Sequence, residues 1–348
     1  MLNIKRHGVL LRPSKNKFES KGVFNPACIK KDNEVHMFYR AWDHTNKSTI
    51  GYAKLDGPLK VVERWDKPFM TQSSNTEYSI EDPRIVKIGD TYYLTYIAYD
   101  GKNVRIAYAT SNDLITFKKQ GVVSPNISYD KAEDIFRACQ SKLKERYFLF
   151  ESFFKDIVGK DVLLWDKDAF LFPKKIKGKY ALVHRILPDI QVIYFKNFKD
   201  LTLAYWKKYF DKFNKYVMLE SKYWFESRNI GGGCPPILTD QGWLLIYHAV
   251  DDMNQGKIYR AGAALLDRHN PTKEIGRLRE PLIVPEKSYE KIGNVNNVVF
   301  PTGAVEFDDR LYIYYGAADS KIATFSVKTN DLIKEILKNK TTNLPKNI

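Results

Sequence analysis

"GWLLIYHAVDDMNQGKIYRAGAALLD", residues 242–267, reads as one β-hairpin. Trp243 to Val250 is apolar except for one histidine. Aspartates, Asn254 and Gly256 supply turn chemistry, and a second largely apolar run follows from Ile258 to Leu266. Four other stretches share this plan: 34–57, 91–114, 179–201 and 310–332. Their equivalent central residues are Tyr39, Tyr96, His184, Tyr247 and Tyr314. They recur at roughly the length of one propeller blade, with an insertion between the second and third copies. The pattern predicts an all-β chain, a five-bladed β-propeller with its active site in a central funnel where the first strands converge. A β-sandwich of several hairpins is the alternative.

Helical pattern is scarce. Tyr205, Phe210 and Phe213 give 202–217 an amphipathic spacing, and "TNDLIKEILKN" near the C-terminus predicts a terminal helix. No Pro-, Gly- or Ser-rich linker divides the 348 residues, so 1–348 is expected to be one catalytic domain, with a tail from about 340 to 348 that frays.

The composition is 44% hydrophobic, enough for a substantial core, and the net charge is +15. That charge suits anionic ligands, but the lysines are dispersed without a dense basic run, so no nucleic-acid partner is expected. Cys28, Cys139 and Cys234 are far apart and are read as reduced thiols of an intracellular protein. "MLNIKRHGVLLRPSKNK" lacks the apolar segment of a signal peptide, and no run of 18 apolar residues spans a membrane, so a cytoplasmic location is expected. Neither a nucleophile elbow nor a metal-binding spacing occurs, so no cofactor is expected.

Chemistry concentrates at "YSIEDPRIVK", residues 78–87. Strand alternation lets only one of Glu81 and Asp82 face a funnel, and Pro83 favours an extended Asp82. Arg84 shares the face of Asp82 and would favour its ionised form; a solvated Asp-Pro turn is the plain structural alternative. Arg40, Arg185 and His248 each interrupt an apolar strand at equivalent places, where a buried charge must be paired or bind something. His184, beside Arg185, should face the other way and be structural. "NIGGGCPPI", residues 229–237, reads as a turn between blades. Asn25 and Asp319 are candidate hydroxyl partners or turn residues.

The ordered set "FNPA" (24–27), "YRA" (39–41), "IEDPRI" (80–85), "LFPKKIKGKY" (171–180), "IGGGCPPI" (230–237), "PLIVPEKSYEKIGNVNNVVFPTG" (281–303) and "IYYGAAD" (313–319) resembles glycoside hydrolase family 130. That family comprises inverting β-mannoside phosphorylases and related β-mannosidases. The resemblance implies a five-bladed propeller. It implies Asp82 as the single general acid, acting through the 3-hydroxyl of mannose, while phosphate as co-substrate attacks to give α-mannose 1-phosphate. It implies a phosphate cradle of Lys167, Arg185, His248 and the position of Asn229, where the family's phosphorylases usually carry lysine. Asn25, Arg40 and Asp319 would hold the mannose, with Glu81 supporting Asp82. Tyr247 is a candidate sugar-stacking surface, as are Tyr39, Trp42 and Trp224.

Phosphate is already an anion and needs a cationic cradle, whereas an inverting hydrolase needs a second carboxylate about 6.5–9.5 Å from the acid. Glu226 and Asp168 are the candidates for that alternative. A non-catalytic carbohydrate- or nucleic-acid-binding propeller is the third reading. The expected partners are a β-mannoside oligosaccharide and phosphate; linkage, acceptor and homo-oligomeric assembly stay open.

Overall fold

The computed structural model describes residues 2–73, 77–138, 143–253 and 256–340. The expected frayed tail, apart from its first residue, and Cys139 lie outside them. Cys28 and Cys234 are free and buried. Among the described residues the strands form five antiparallel sheets. The first joins Gly22–Lys31, Glu34–Trp42, Ser48–Asp56 and Lys60–Arg64. The second joins Ser79–Ile88, Thr91–Tyr99, Val104–Ser111 and Lys118–Val122. Lys167–Leu171, Tyr180–Arg185, Ile190–Phe195 and Val217–Leu219 make the third. The fourth joins Asn229–Gly232, Gly242–Met253, Gly256–Leu266 and Glu274–Arg277, with Ile237–Thr239 also on Gly242–Met253. The fifth runs Val299–Phe307, Arg310–Ala317, Lys321–Lys328 and, last, the N-terminal Lys5–Leu11.

The core is a set of apolar layers between successive sheets. Phe38, Ile50, Ile85 and Leu94 fill the layer between the first and second. Phe170, Val183, Leu245 and Tyr247 fill that between the third and fourth, and Ile246, Ala263, Ile313 and Phe325 that between the fourth and fifth. Val23, Met37, Tyr39 and Ile322 join the fifth to the first. Neighbours such as Leu245 and Ile246 therefore point into different layers. With both faces covered, the middle strands read as continuous apolar runs rather than alternating ones.

Helices thicken the layer between the second and third sheets. Leu203–Phe210 is capped by Thr202, whose hydroxyl accepts from Tyr205 N at 3.3 Å, and buries Trp206, Tyr209 and Phe210. The expected helix at 202–217 is thus one short α-helix followed by a 3-10 turn, Phe213–Tyr216. Tyr129–Ala138 and Glu145–Val158, in the insertion, pack Tyr129, Phe136 and Tyr147 into the same layer. The sequence pattern did not reveal these two helices. Thr329–Leu337 forms as expected, burying Leu332 and Ile336 between the fourth and fifth sheets. Among the described residues no helix is long and apolar enough to cross a membrane.

One buried device recurs in every sheet. A residue of the second strand bonds an acid that precedes the first strand, and in four sheets a cation from the outermost strand holds that acid. Tyr39 Oη donates to Glu19 Oε2 at 2.7 Å, with Arg64 at 2.8 Å from the same oxygen. Tyr96 donates to Glu77 at 3.1 Å, which pairs with Lys119. Tyr247 donates to Glu226 at 2.5 Å, with Arg277 at 3.1 Å. Tyr315 donates to Glu290 at 2.6 Å, with Arg6 at 3.3 Å. The fifth equivalent residue is therefore Tyr315, not Tyr314, whose hydroxyl bonds Pro58 O. In the third sheet His184 takes the tyrosine's place, between Asp166 and Tyr209 at 2.8 Å each. As expected, His184 faces away from Arg185's side of the strand.

Candidate active site

The first strands of the first three sheets break register at matching places: between Phe24 and Ala27, Glu81 and Arg84, and Lys167 and Phe170. Each break holds one residue with left-handed backbone: Asn25 (φ 49°), Asp82 (φ 49°) and Asp168 (φ 54°). Asn and Asp are the non-glycine residues that best tolerate this conformation. The bulge overturns two expectations. Pro83 does not hold Asp82 extended, and Glu81 and Asp82 do not point to opposite faces. Both reach Arg40: Nη2 lies 2.8 Å from Glu81 Oε1 and Nη1 3.4 Å from Asp82 Oδ1.

Around Asp82, Asn25 Nδ2 donates to Oδ1 at 2.8 Å, and Arg40 Nε is anchored on Ser48 Oγ at 2.9 Å. Gly316 is required here, because a Cβ would lie 2.3 Å from Asn25 Oδ1. Burial alone would raise the Asp82 pKa, but Arg40, Arg84, the Asn25 hydrogen bond and Lys167 together hold it below the usual range. Asp319 lies in the same field. Burial, opposed by Arg40 and reinforced by Asp82 and Glu81, pushes its carboxyl up to about 6.

A second group forms around Asp168. Its Oδ2 lies 3.0 Å from Arg185 Nε and 3.7 Å from His248 Nε2. His248 is fully buried, with its ring centroid 4.3 Å from that of Phe300. Burial, opposed by Asp168, lowers its pKa to about 3. In the free protein His248 is therefore a neutral imidazole rather than a cation. Gly231 makes room, since a Cβ would meet His248 at 2.3 Å and Asp168 Oδ2 at 2.5 Å. Gly231 and Gly232 belong to the strand Asn229–Gly232, so the glycine run is a close-packed strand rather than the expected turn. Asn229 is buried two residues before Gly231 and so on the same face. Lys167, the register partner of Arg185, is partly buried, with Nζ 5.1 Å from the Trp165 ring centroid.

Arg84, 1% exposed, joins the two groups. Its Nε donates to Gly233 O at 2.6 Å, and Nη1 donates to the carbonyls of Asp82 (3.2 Å) and Pro83 (3.0 Å). Several buried polar atoms of this centre have no hydrogen-bond partner among the described residues: Asn25 Oδ1, Arg84 Nη2, Asp168 Oδ2, Arg185 Nε and both ring nitrogens of His248.

Other expected residues do not join. Tyr247 is fully buried and committed to Glu226, with its ring packed on Gly262, so it is no sugar surface; Tyr39 is held likewise over Gly51. Arg228, the chain neighbour of Asn229, is turned to Asp252. Trp224 is half exposed beside Arg260, and Trp42 carries Lys21 Nζ 3.6 Å from its ring centroid. From the sequence, Asp168 is a candidate only as a hydrolytic base. Its signal was the likeness of "KDAF" to "EDPR", each an acid at the bulge of a first strand.

The family model described as beta-1,4-mannooligosaccharide phosphorylase matches residues 6–338. A 1,2-beta-oligomannan phosphorylase of Thermoanaerobacter sp. (strain X514) is 35% identical, over 95% of this chain and 99% of that protein. A beta-1,2-mannobiose phosphorylase of the same strain is 36% identical, over 90% and 92%. Among solved structures, the beta-1,2-mannobiose phosphorylase of Listeria innocua shares the fold, with a TM-score of 0.72 and 23% identity over 96% of this chain and 99% of that one. On its family match and these relatives, the chain belongs to glycoside hydrolase family 130.

Proposed function

We propose that this protein is an inverting β-mannoside phosphorylase, built as one five-bladed β-propeller, that converts a β-mannoside and phosphate to α-mannose 1-phosphate and a shortened acceptor. The propeller reading is supported by the neighbour relations of the first strands. Gly22–Lys31 packs on Val299–Phe307 and on Ser79–Ile88; Ser79–Ile88 packs on Lys167–Leu171, and Lys167–Leu171 on Asn229–Gly232. The fourth sheet returns to Val299–Phe307 through Gly242–Met253. Such a ring brings every first strand to one axis. The phosphorylase relatives at 35% and 36% identity support the activity.

One observation carries the reading: the acid Asp82, with its Arg40 and Asn25 partners, adjoins a separate basic group across the shared residue Arg84. Asp82 is the general acid, relaying its proton to the glycosidic oxygen through the 3-hydroxyl of the mannose. It is ionised in the free site, so it takes up a proton as substrate covers it. In the synthetic direction the ionised form is the competent one. Asn25, Arg40 and Asp319 hold the mannose, and Glu81 fixes Arg40. Lys167 and Arg185 supply charge to phosphate, while His248 and Asn229 supply hydrogen bonds. No cofactor is called on, because phosphate is the nucleophile. A β-mannosidase using Glu226 as base is disfavoured, since Glu226 is fully buried and engaged by Tyr247, Arg277 and the backbone N–H groups of Lys222 and Tyr223.

The test is incubation with β-1,2- and β-1,4-mannobiose, with and without phosphate. Mannose 1-phosphate should appear only with phosphate. Equal release of free mannose without phosphate would overturn the reading.

A further inference from the structure

The group around Asp168 is unusual for an anion site, because it holds an anion of its own. Asp168 is 4% exposed, and its Oδ2 has no hydrogen-bond partner among the described residues. The carboxylate is flanked by Arg185 from its own sheet and by neutral His248 from the fourth. Lys167 precedes it in the chain, and Arg84 and Tyr259 lie within its electrostatic reach. Removing Asp168 would make the group more cationic, so the carboxylate is not there to strengthen attraction. Gly231 leaves the space around Oδ2 and the imidazole clear of any Cβ.

A buried carboxylate is an acceptor only. Facing an anion, it repels any oxygen that lacks a proton and bonds any oxygen that carries one. Inorganic phosphate keeps at least one proton near neutral pH, whereas sulfate, of nearly the same size and shape, keeps none. We infer that Asp168 is the specificity-determining residue for the co-substrate: its Oδ2 accepts a hydrogen bond from the protonated oxygen of phosphate, so the cradle admits phosphate and refuses sulfate. The proton is the one that phosphate already carries, and none is drawn from the protein. Arg185 and Lys167 attract any tetrahedral anion; Asp168 selects among them by repulsion, as specificity commonly requires. This assignment rests on the reading of the Arg185–His248 group as the phosphate site.

The experiment measures sulfate and arsenate as competitors of phosphate, by initial rates of phosphorolysis and by calorimetric binding, on the wild type and on Asp168→Asn. Asparagine keeps the side-chain shape and tolerates the left-handed backbone at this position. In the wild type, arsenate, which keeps a proton, should compete and sulfate should not. In Asp168→Asn, sulfate should become a competitor, its affinity rising by about tenfold or more, while phosphate KM moves less. Sulfate that competes as well as arsenate in the wild type overturns the inference without need of the variant. So does a variant that loses phosphate but still refuses sulfate. Calorimetric preference for phosphate over sulfate without any mannose 1-phosphate formation would overturn the proposed activity and leave the role of Asp168 standing.

Discussion

Tyr247 and His248 are consecutive on one strand and both are fully buried, yet the tyrosine hydroxyl is engaged and neither ring nitrogen of the histidine is. The two faces of the strand divide in the same way at Tyr39 and Arg40, although Arg40 is bonded within the centre to Ser48, Glu81 and Asp82, and at His184 and Arg185. The first of each pair closes a hydrogen-bonded chain of side chains between sheets. The second turns to the opposite face and contributes to the centre. The structural side chains end on one another, whereas the centre, although partly bonded, gathers most of its unmet polar atoms, among the described residues, at Asn25 Oδ1, Arg84 Nη2, Asp168 Oδ2, Arg185 Nε and the His248 ring. A protein ordinarily leaves few buried polar atoms unmet, and an accumulation of them around two acids and two arginines supports the proposed binding centre. Aromatic character misleads here, because Tyr39 and Tyr247 serve the structural face.

The comparison makes separable predictions. Substitutions at the centre should act mainly on kinetics, and those in the inter-sheet chains mainly on stability. The largest effect is expected for Asp82→Asn, with kcat reduced about 10²–10⁴-fold in both reaction directions. Next is Arg185→Met, which removes the guanidinium beside Asp168. Phosphate KM, from initial rates, should rise about 10–100-fold. Tyr247→Phe should behave oppositely. It strips one bond from buried Glu226 and should cost about 1–2 kcal/mol in denaturant unfolding, with kcat/KM within about twofold of wild type. A large KM change in Tyr247→Phe would break the comparison.

The smallest effect concerns Asp319. Its carboxyl titrates near 6 in the fold and lower when unfolded. The folded state therefore binds the extra proton, so this contribution to stability is present at low pH and is lost as pH rises through about 6. Asp319→Asn should raise the melting temperature relative to wild type at pH 8 by roughly 2 °C, with the gain vanishing by about pH 4. Parallel melting curves across that range would remove Asp319 from the electrostatic field of Asp82.

The strands were legible because each middle strand is buried on both faces and so appears as an uninterrupted apolar run. The place of Asp82 in the candidate site was legible from its motif. What failed was parity. Counting alternate residues along 78–87 assigns Glu81 and Asp82 to opposite faces, and only the left-handed residue in the bulge brings both to Arg40. The structural tyrosines were misread for another reason, since their partners lie far away in sequence. The acid precedes its tyrosine or histidine by 20, 19, 18, 21 and 25 residues in the five sheets. That recurrence was present in the sequence and would have separated Tyr247 from the site. It would also have chosen between the adjacent Tyr314 and Tyr315. The insertion helix Glu145–Val158 hid its period, because Leu149, Phe153 and Ile157 are apolar and yet exposed.

The most direct test of the account is nuclear magnetic resonance of one reaction: β-1,2-mannobiose with phosphate, on wild type and on Asp82→Asn in parallel. The wild type should release mannose and α-mannose 1-phosphate in equal amounts, and the variant neither. A β-configured phosphate ester, free mannose in excess of the ester, or turnover surviving in Asp82→Asn would contradict a site in which one acid works opposite bound phosphate.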